Sequence, residues 1–296
     1  MIRTALPKKN NQNSKYILAV GICFAILIAV LVVSVNPVTT LARITRGEND
    51  SGSALGIAVS SNYVYWTEDS GSVRGVPING GQVITLASGQ DYPEWLAVDS
   101  NYVYWAEFGA NPNPNNNYGA IKKVPINGGQ VTTLASGLNY PMGIAVDQDF
   151  VYWTDTNAAR AVKKVPVNGG QVTTLTSGLL EPGFNTRIAI DSDYIYLTEP
   201  NDNGTVERVP KGGGKVTILA SGQNSPNDVA VDANDVYWTN GGVKILNGGK
   251  IMKVSKGGGQ VAEVASESAY PFVMTVDSKN VYWATSNNGA VKKTPK

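Results

Sequence analysis

The sequence predicts an all-β protein, a six-bladed β-propeller of four-stranded antiparallel blades. Three observations carry that prediction. First, a triplet recurs about every 39 to 48 residues, as Val-Tyr-Trp ending at Trp66, Trp105, Trp153, Trp238 and Trp283 and as Ile-Tyr-Leu ending at Leu197, which gives six copies of one unit. Second, each unit divides into four short runs rich in Val, Ile, Thr and aromatics, separated by Asp, Asn and Gly clusters. Third, the two ends of the chain complement each other. Residues 38–43 (VTTLAR) match the fourth-strand run at 131–136 (VTTLAS), whereas the last unit stops at 291–296, where its fourth strand would begin. The N-terminal strand is therefore expected to complete the sixth blade and close the ring, which removes free sheet edges.

The elements follow from the copy at 141–177. Its apolar runs, GIAV, FVYWT, AVKKVPV and GQVTTLT, are four strands in order. Asn168-Gly169-Gly170 marks a hairpin, because glycine accepts the positive φ of tight turns. The Trp of each triplet is expected to pack between blades. Asp99, Asp147, Asp191, Asp232 and Asp277, each just after a first strand, are expected to bond their own backbone as turn formers. Glu68, Glu107, Asp155, Glu199 and Asn240 follow the triplets as a ring of acceptors, and the Lys pairs at 122–123, 163–164 and 292–293 read as solvated faces of third strands.

These repeats allow a resemblance to be stated. Tyr152-Trp153-Thr154-Asp155, with the looser versions VYWTE at 64–68, VYWAE at 103–107 and VYWTN at 236–240, resembles the YWTD repeats of the low-density-lipoprotein receptor family over about 38–296. The resemblance implies a six-bladed propeller that works in ligand binding and release. It also implies that the ring of acceptors ties neighbouring blades together. The cysteine-rich modules that accompany such propellers in those receptors do not occur in this sequence, whose single cysteine is Cys23.

Residues 1–15 carry Arg3, Lys8, Lys9 and Lys15 and no acid, and Tyr16–Val35 is a run of twenty residues without a charge. At about 1.5 Å per residue such a run crosses roughly 30 Å of hydrocarbon. It is longer than the apolar core of a cleaved signal, so the reading is one transmembrane helix, a retained signal anchor at 16–35, with the basic segment 1–15 in the cytoplasm and the propeller, 36–296, on the extracytoplasmic side.

Composition removes several function classes. Histidine is absent, which excludes His general bases and His-ligated zinc. Of 24 basic residues four lie in 1–35, leaving 20 against 23 acids, a net charge of −3 without a basic stripe, so no nucleic-acid partner is expected.

Comparison of the six copies places the working surface. The first-to-second and third-to-fourth turns are short and alike. The second-to-third and inter-blade connections vary, and in an up-and-down blade both emerge on one face. The pairs leading into each first strand vary most: Leu55–Gly56, Glu94–Trp95, Met142–Gly143, Thr186–Arg187, Asn227–Asp228 and Phe272–Val273. They are expected to ring the mouth of the central channel, with Glu94, Trp95, Arg187, Asn227, Asp228 and Phe272 as candidate ligand-binding residues. Since the equivalents of Trp95, Arg187 and Asp228 in other blades include Gly and Val, the scaffold is expected not to need these three side chains.

Tyr92, Phe108, Tyr118, Tyr140, Phe184 and Tyr270 add aromatic surface beside the variable loops. The function expected is a membrane-anchored binding or scaffold module for a protein, peptide or glycan, without a cofactor. The alternative is a calcium-dependent hydrolase similar to the gluconolactonase propellers, with Glu94, Asn227 and Asp228 as the metal ligands that this similarity implies.

Overall fold

The computed structural model describes residues 54–109, 118–155, 161–179, 187–241, 249–267, 270–285 and 291–296. Strands build every regular element among them. Blade one consists of Ala54–Val59, Tyr63–Glu68, Ser72–Pro77 and Ile84–Ala87. Blade two follows with Pro93–Val98, Tyr102–Glu107, Gly119–Pro125 and Thr132–Leu138. Blade three is Pro141–Val146, Phe150–Asp155, Ala161–Pro166 and Thr173–Thr176. Blade four is Ile188–Ile190, Tyr194–Glu199, Gly204–Pro210 and Thr217–Gln223. Blade five is Pro226–Val231, Asp235–Asn240, Gly249–Ser255 and Ala262–Glu267. Blade six shows Pro271–Val276, Asn280–Thr285 and Val291–Pro295. Each sheet is an antiparallel meander in chain order. The expected closing strand at 38–43 and the apolar run 16–35 lie outside the described residues.

The period-two alternation of a strand explains how the triplet works. Adjacent side chains point to opposite faces, so across the five seams from blade one to blade six the Tyr of one blade meets the Trp or Leu of the next. Trp153 packs on Tyr104, Ile121 and Leu134 of blade two. Trp105 packs on Tyr65, Val73 and Leu86 of blade one. In blade four Leu197 takes the Trp position, against Tyr152 and Val162 of blade three. Burial of one such ring contributes about 4–6 kcal/mol of transfer free energy, which makes this aromatic layer the main source of cohesion between sheets.

The same alternation overturns the reading of the lysine pairs as solvated faces at every position but Lys293, which is exposed. The first lysine of each pair lies opposite the Trp and reaches an acid: Lys122 to Glu107 at 2.7 Å, Lys163 to Asp155 at 2.6 Å and Lys292 to Glu267 at 2.5 Å. The second lies opposite the Tyr, and in the first two pairs it caps a turn of the next blade. Lys123 Nζ donates to Val167 O at 2.6 Å and Lys164 Nζ to Lys211 O at 2.9 Å, each over an aromatic ring. These are structural cations, held because a buried carbonyl needs a donor.

The ring of acceptors is also structural, with its ties chiefly inside blades. Glu68 and Glu107 accept the indole N–H of Trp66 and Trp105, at 2.9 and 3.0 Å, since residues i and i+2 share a face. Glu68 also pairs with Arg74 at 3.0 Å. Ties between blades come from the ends of fourth strands: Gln223 accepts from Trp238 and Asn240 of blade five, and Glu267 from Trp283 of blade six.

The opposite end of blades two to six is set by the turn aspartates, as expected, and that of blade one by Ser60. Asp99 Oδ1 accepts the N–H of Asn101 and Tyr102, and Oδ2 accepts the Tyr104 hydroxyl at 2.7 Å. In later blades a lysine from the next blade joins the same carboxylate: Lys211 reaches Asp147 at 2.8 Å, Lys256 reaches Asp191 at 2.5 Å, and Lys296 reaches Asp232. Burial raises the Asp191 pKa, but the Lys256 and backbone hydrogen bonds outweigh it and hold the carboxyl at about 2.

The Asn-Gly-Gly signal forms a turn within a longer connection than a two-residue hairpin. Gly169 N–H bonds Pro166 O, with φ of 83° and 141° at Gly169 and Gly170, but the strands are joined by 167–172.

Blade three contains a defect that can be repaired. Asp155, one methylene shorter than glutamate, bonds Lys163, and the buried Trp153 Nε1 has no hydrogen-bond partner among the described residues. The variant Asp155→Glu is expected to supply the acceptor and raise stability by about 1 kcal/mol. Denaturant unfolding beside the parent checks it, and a variant equal to or less stable than the parent would refute it.

Candidate functional site at the channel mouth

The variable pairs identified in the sequence fall on β-bulges of the innermost strands in every blade but the fourth, where Arg187 directly precedes the strand. Ladder register places Leu55–Gly56 opposite Thr67, Glu94–Trp95 opposite Ala106, Met142–Gly143 opposite Thr154 and Asn227–Asp228 opposite Thr239. In blade six the extra residue is Phe272. A bulge leaves ladder groups unpaired and redirects side chains. Here the threonine hydroxyl repairs the ladder. Thr67 Oγ1 accepts Gly56 N–H at 2.9 Å and donates to Glu94 O of blade two at 2.5 Å. Thr198 donates to Asn227 O of the next blade at 2.6 Å, and Thr239 Oγ1 accepts Asp228 N–H at 3.0 Å. Gly56 is required by the closeness of the strands, since a Cβ there would lie 2.3 Å from Glu94 O.

Four candidate residues from four blades converge. The Arg187 guanidinium of blade four stacks over the Trp95 ring of blade two at 3.9 Å and stands 5.5 Å from the Phe272 ring of blade six. Its Nη1 lies 3.4 Å from Asp228 Oδ2 of blade five. Contacts that skip a blade cross the ring axis, so this group sits over the channel. Tyr270 is near enough to feel both the Arg187 and Asp228 charges, and its ring occupies the space where a Cβ on Gly241 would be. Burial disfavours charge on Arg187, and the Asp228 carboxylate opposes that effect.

The expectation that the scaffold can dispense with Trp95, Arg187 and Asp228 is overturned at Asp228. Asp228 is buried, and its oxygens accept the N–H of Val229 at 3.0 Å and of Met274 in the next blade at 2.7 Å. Asn227 is buried too, with Nδ2 donating to Phe272 O at 2.8 Å. Both replace backbone partners that the bulges remove. Of the calcium set, Asp228 therefore has both oxygens engaged beside a guanidinium, an electrostatic setting unfavourable to a divalent cation. No group of three or more His, Cys, Asp and Glu with metal-binding geometry occurs among the described residues. Glu94 shares the bulge with Trp95, and burial pushes its carboxyl up to about 7.

Thr186 and Phe184 lie outside the described residues. Tyr92 and Tyr118 stand at the same end of blade two, each more than half exposed, near the Phe108–Tyr140 ring pair at 5.7 Å. The threonine bridges were missed in the sequence, although a Thr after the aromatic pair in four of the six repeats was a visible signal.

The geometry defines a six-bladed β-propeller with a capped central channel. No protein-family model matches the sequence, and no match is found among curated proteins. Solved structures do match. One is the nidogen/laminin complex, at 21% identity and TM-score 0.62 over 79% of this chain and 89% of that one. Another is the computationally designed Ika8 protein, at 15% and 0.60 over 84% and 73%. A third is an auxiliary nutrient binding protein from Bacteroides thetaiotaomicron, at 14% and 0.59 over 81% and 68%. At these identities the likeness is one of fold.

Glu94 gives the site a pH signature. The folded protein keeps a proton that the unfolded chain releases near 4.5, so stability falls as pH rises from about 4.5 to 7 and levels off above. Glu94→Gln is expected to remove roughly 1–3 kcal/mol of that slope. Melting curves at pH 5 and pH 8 check it: the variant should gain on the parent at pH 8, and parallel profiles would show a carboxyl that is not desolvated.

Proposed function

We propose that the chain is a membrane-anchored, extracytoplasmic binding propeller of the YWTD type, recognising a protein, peptide or glycan through the variable face around its channel. The observation that carries this reading is the convergence of Trp95, Arg187 and Phe272 across the axis, with exposed Tyr92 and Tyr118 at the same end. Aromatic and arginine side chains dominate the energetics of recognition surfaces. Two proteins of similar fold point the same way, one in a complex of nidogen with laminin and one a nutrient binding protein. Anchoring is supported by the uncharged run at 16–35 and its basic flank, and ring closure by the match of 38–43 to a fourth strand.

Two experiments test the reading. On glycan and peptide arrays the full-length chain should capture a ligand, and Tyr92→Ala with Tyr118→Ala should weaken capture about tenfold while melting is unchanged; undiminished capture by both variants would refute the variable face. Carbonate extraction of membranes should leave the chain in the pellet, and a processed form released into solution would overturn the anchor.

A further inference from the structure

Arg187 is positioned with at least three of its five N–H groups unused. Its Nη1 is directed to Asp228, and the ring faces of Trp95 and Phe272 hold the guanidinium plane. Nε and Nη2, which together form the side-on edge of the guanidinium, are buried without a hydrogen-bond partner among the described residues. Trp95 Nε1, in the indole over which that guanidinium stacks, is also buried and unpartnered there. Three donor nitrogens thus gather where no described acceptor meets them.

Unmet buried donors are costly, those of a charged group most of all, and a guanidinium keeps its proton at any physiological pH. The contacts at neighbouring sites show that this chain normally avoids the cost: buried Glu68 and Glu107 each receive an indole N–H and a cation. Sequence repetition does not explain Arg187 either, because the equivalent positions hold Gly56, Trp95, Gly143, Asp228 and Val273.

We propose that the Nε–Nη2 edge of Arg187, with the Trp95 indole N–H beside it, is a subsite for a carboxylate carried by the ligand of this propeller. A carboxylate matches the edge with two parallel N–H···O bonds. Its single charge suits the site better than the double charge of a phosphate, since buried Asp228 stands 3.4 Å from the same guanidinium. The side chain of Arg187 retains 16% exposure, whereas Nε and Nη2 are buried, so a carboxylate enters by displacing the side chains that cover that edge. Burial then strengthens each bond that forms. The proposal rests on the binding reading above and gives its ligand an acidic group.

The test is a titration of the full-length, ¹⁵N-labelled chain in detergent micelles with sodium acetate and sodium glucuronate. Glucose and sodium phosphate at matched ionic strength serve as comparisons. Both carboxylates should move the Arg187 Nε–H and Trp95 Nε1–H resonances saturably, with phosphate weaker and glucose silent. Arg187→Lys keeps the charge and loses the fork, and should weaken binding about tenfold. Trp95→Phe keeps the stack and loses one donor, and should weaken it less; it also serves if the lysine variant does not fold. Absence of saturable shifts, equal binding by Arg187→Lys, or phosphate binding more tightly than acetate would overturn the subsite. The two readings fail separately. An array ligand without a carboxylate, bound equally by Arg187→Lys, refutes the subsite and leaves the binding propeller. Acetate bound at Arg187 with no array ligand does the reverse.

Discussion

The inner circle depends on a threonine hydroxyl that recurs in four of the six blades, with Ala106 and Ala284 in its place in blades two and six. Innermost strands must pass one another closely around a closed circle, and their bulges at the mouth break the ladder that would otherwise satisfy the backbone. A threonine on the second strand answers both problems. Thr67 accepts the freed N–H of its own blade and donates to a carbonyl of the next. Serine or valine would change the balance, because the position needs a donor and an acceptor in a buried, β-branched shape. The acceptor half recurs at Thr239 and the donor half at Thr198.

Outward from that inner circle, cohesion passes to side chains sorted by strand alternation. Tyrosine faces one neighbour and tryptophan the other, and the lysines across from them follow the same sorting. A residue as polar as Lys123 becomes a buried strut because the turn carbonyl of Val167 offers the acceptor its burial demands. Polarity in this fold is therefore a poor guide to exposure; a residue's place opposite Tyr or Trp is a better one.

Fold was legible because repetition averages over local ambiguity. One apolar run of five residues decides little, but the same run at the same place in six units fixes strand, order and neighbour. The site was legible only as variation against that repeat. Glu94–Trp95 and Asn227–Asp228 stood out, and the structure puts them on bulges, where strand rules relax. What variation could not convey is why a residue differs. Asp228 looked free of the scaffold, yet it replaces backbone hydrogen bonds between blades five and six. Its partner Arg187 lies 41 residues away in sequence, and no local pattern joins the two. The acceptor ring was read correctly as structural, while its direction, within blades more than between them, depended on side-chain length and reach.

The turn aspartates divide the circle into two arcs. Between blades three and six their carboxylates are fastened by Lys211, Lys256 and Lys296, while the corresponding places in blades one to three hold Ile78, Ile126 and Val167. One arc is clasped by charge and the other by oil. Dissolved ions loosen the first and tighten the second, so a propeller that is nearly uniform in shape is not uniform in its response to its surroundings. As salt rises, the ionic arc loses part of its clasp while the apolar arc keeps its own.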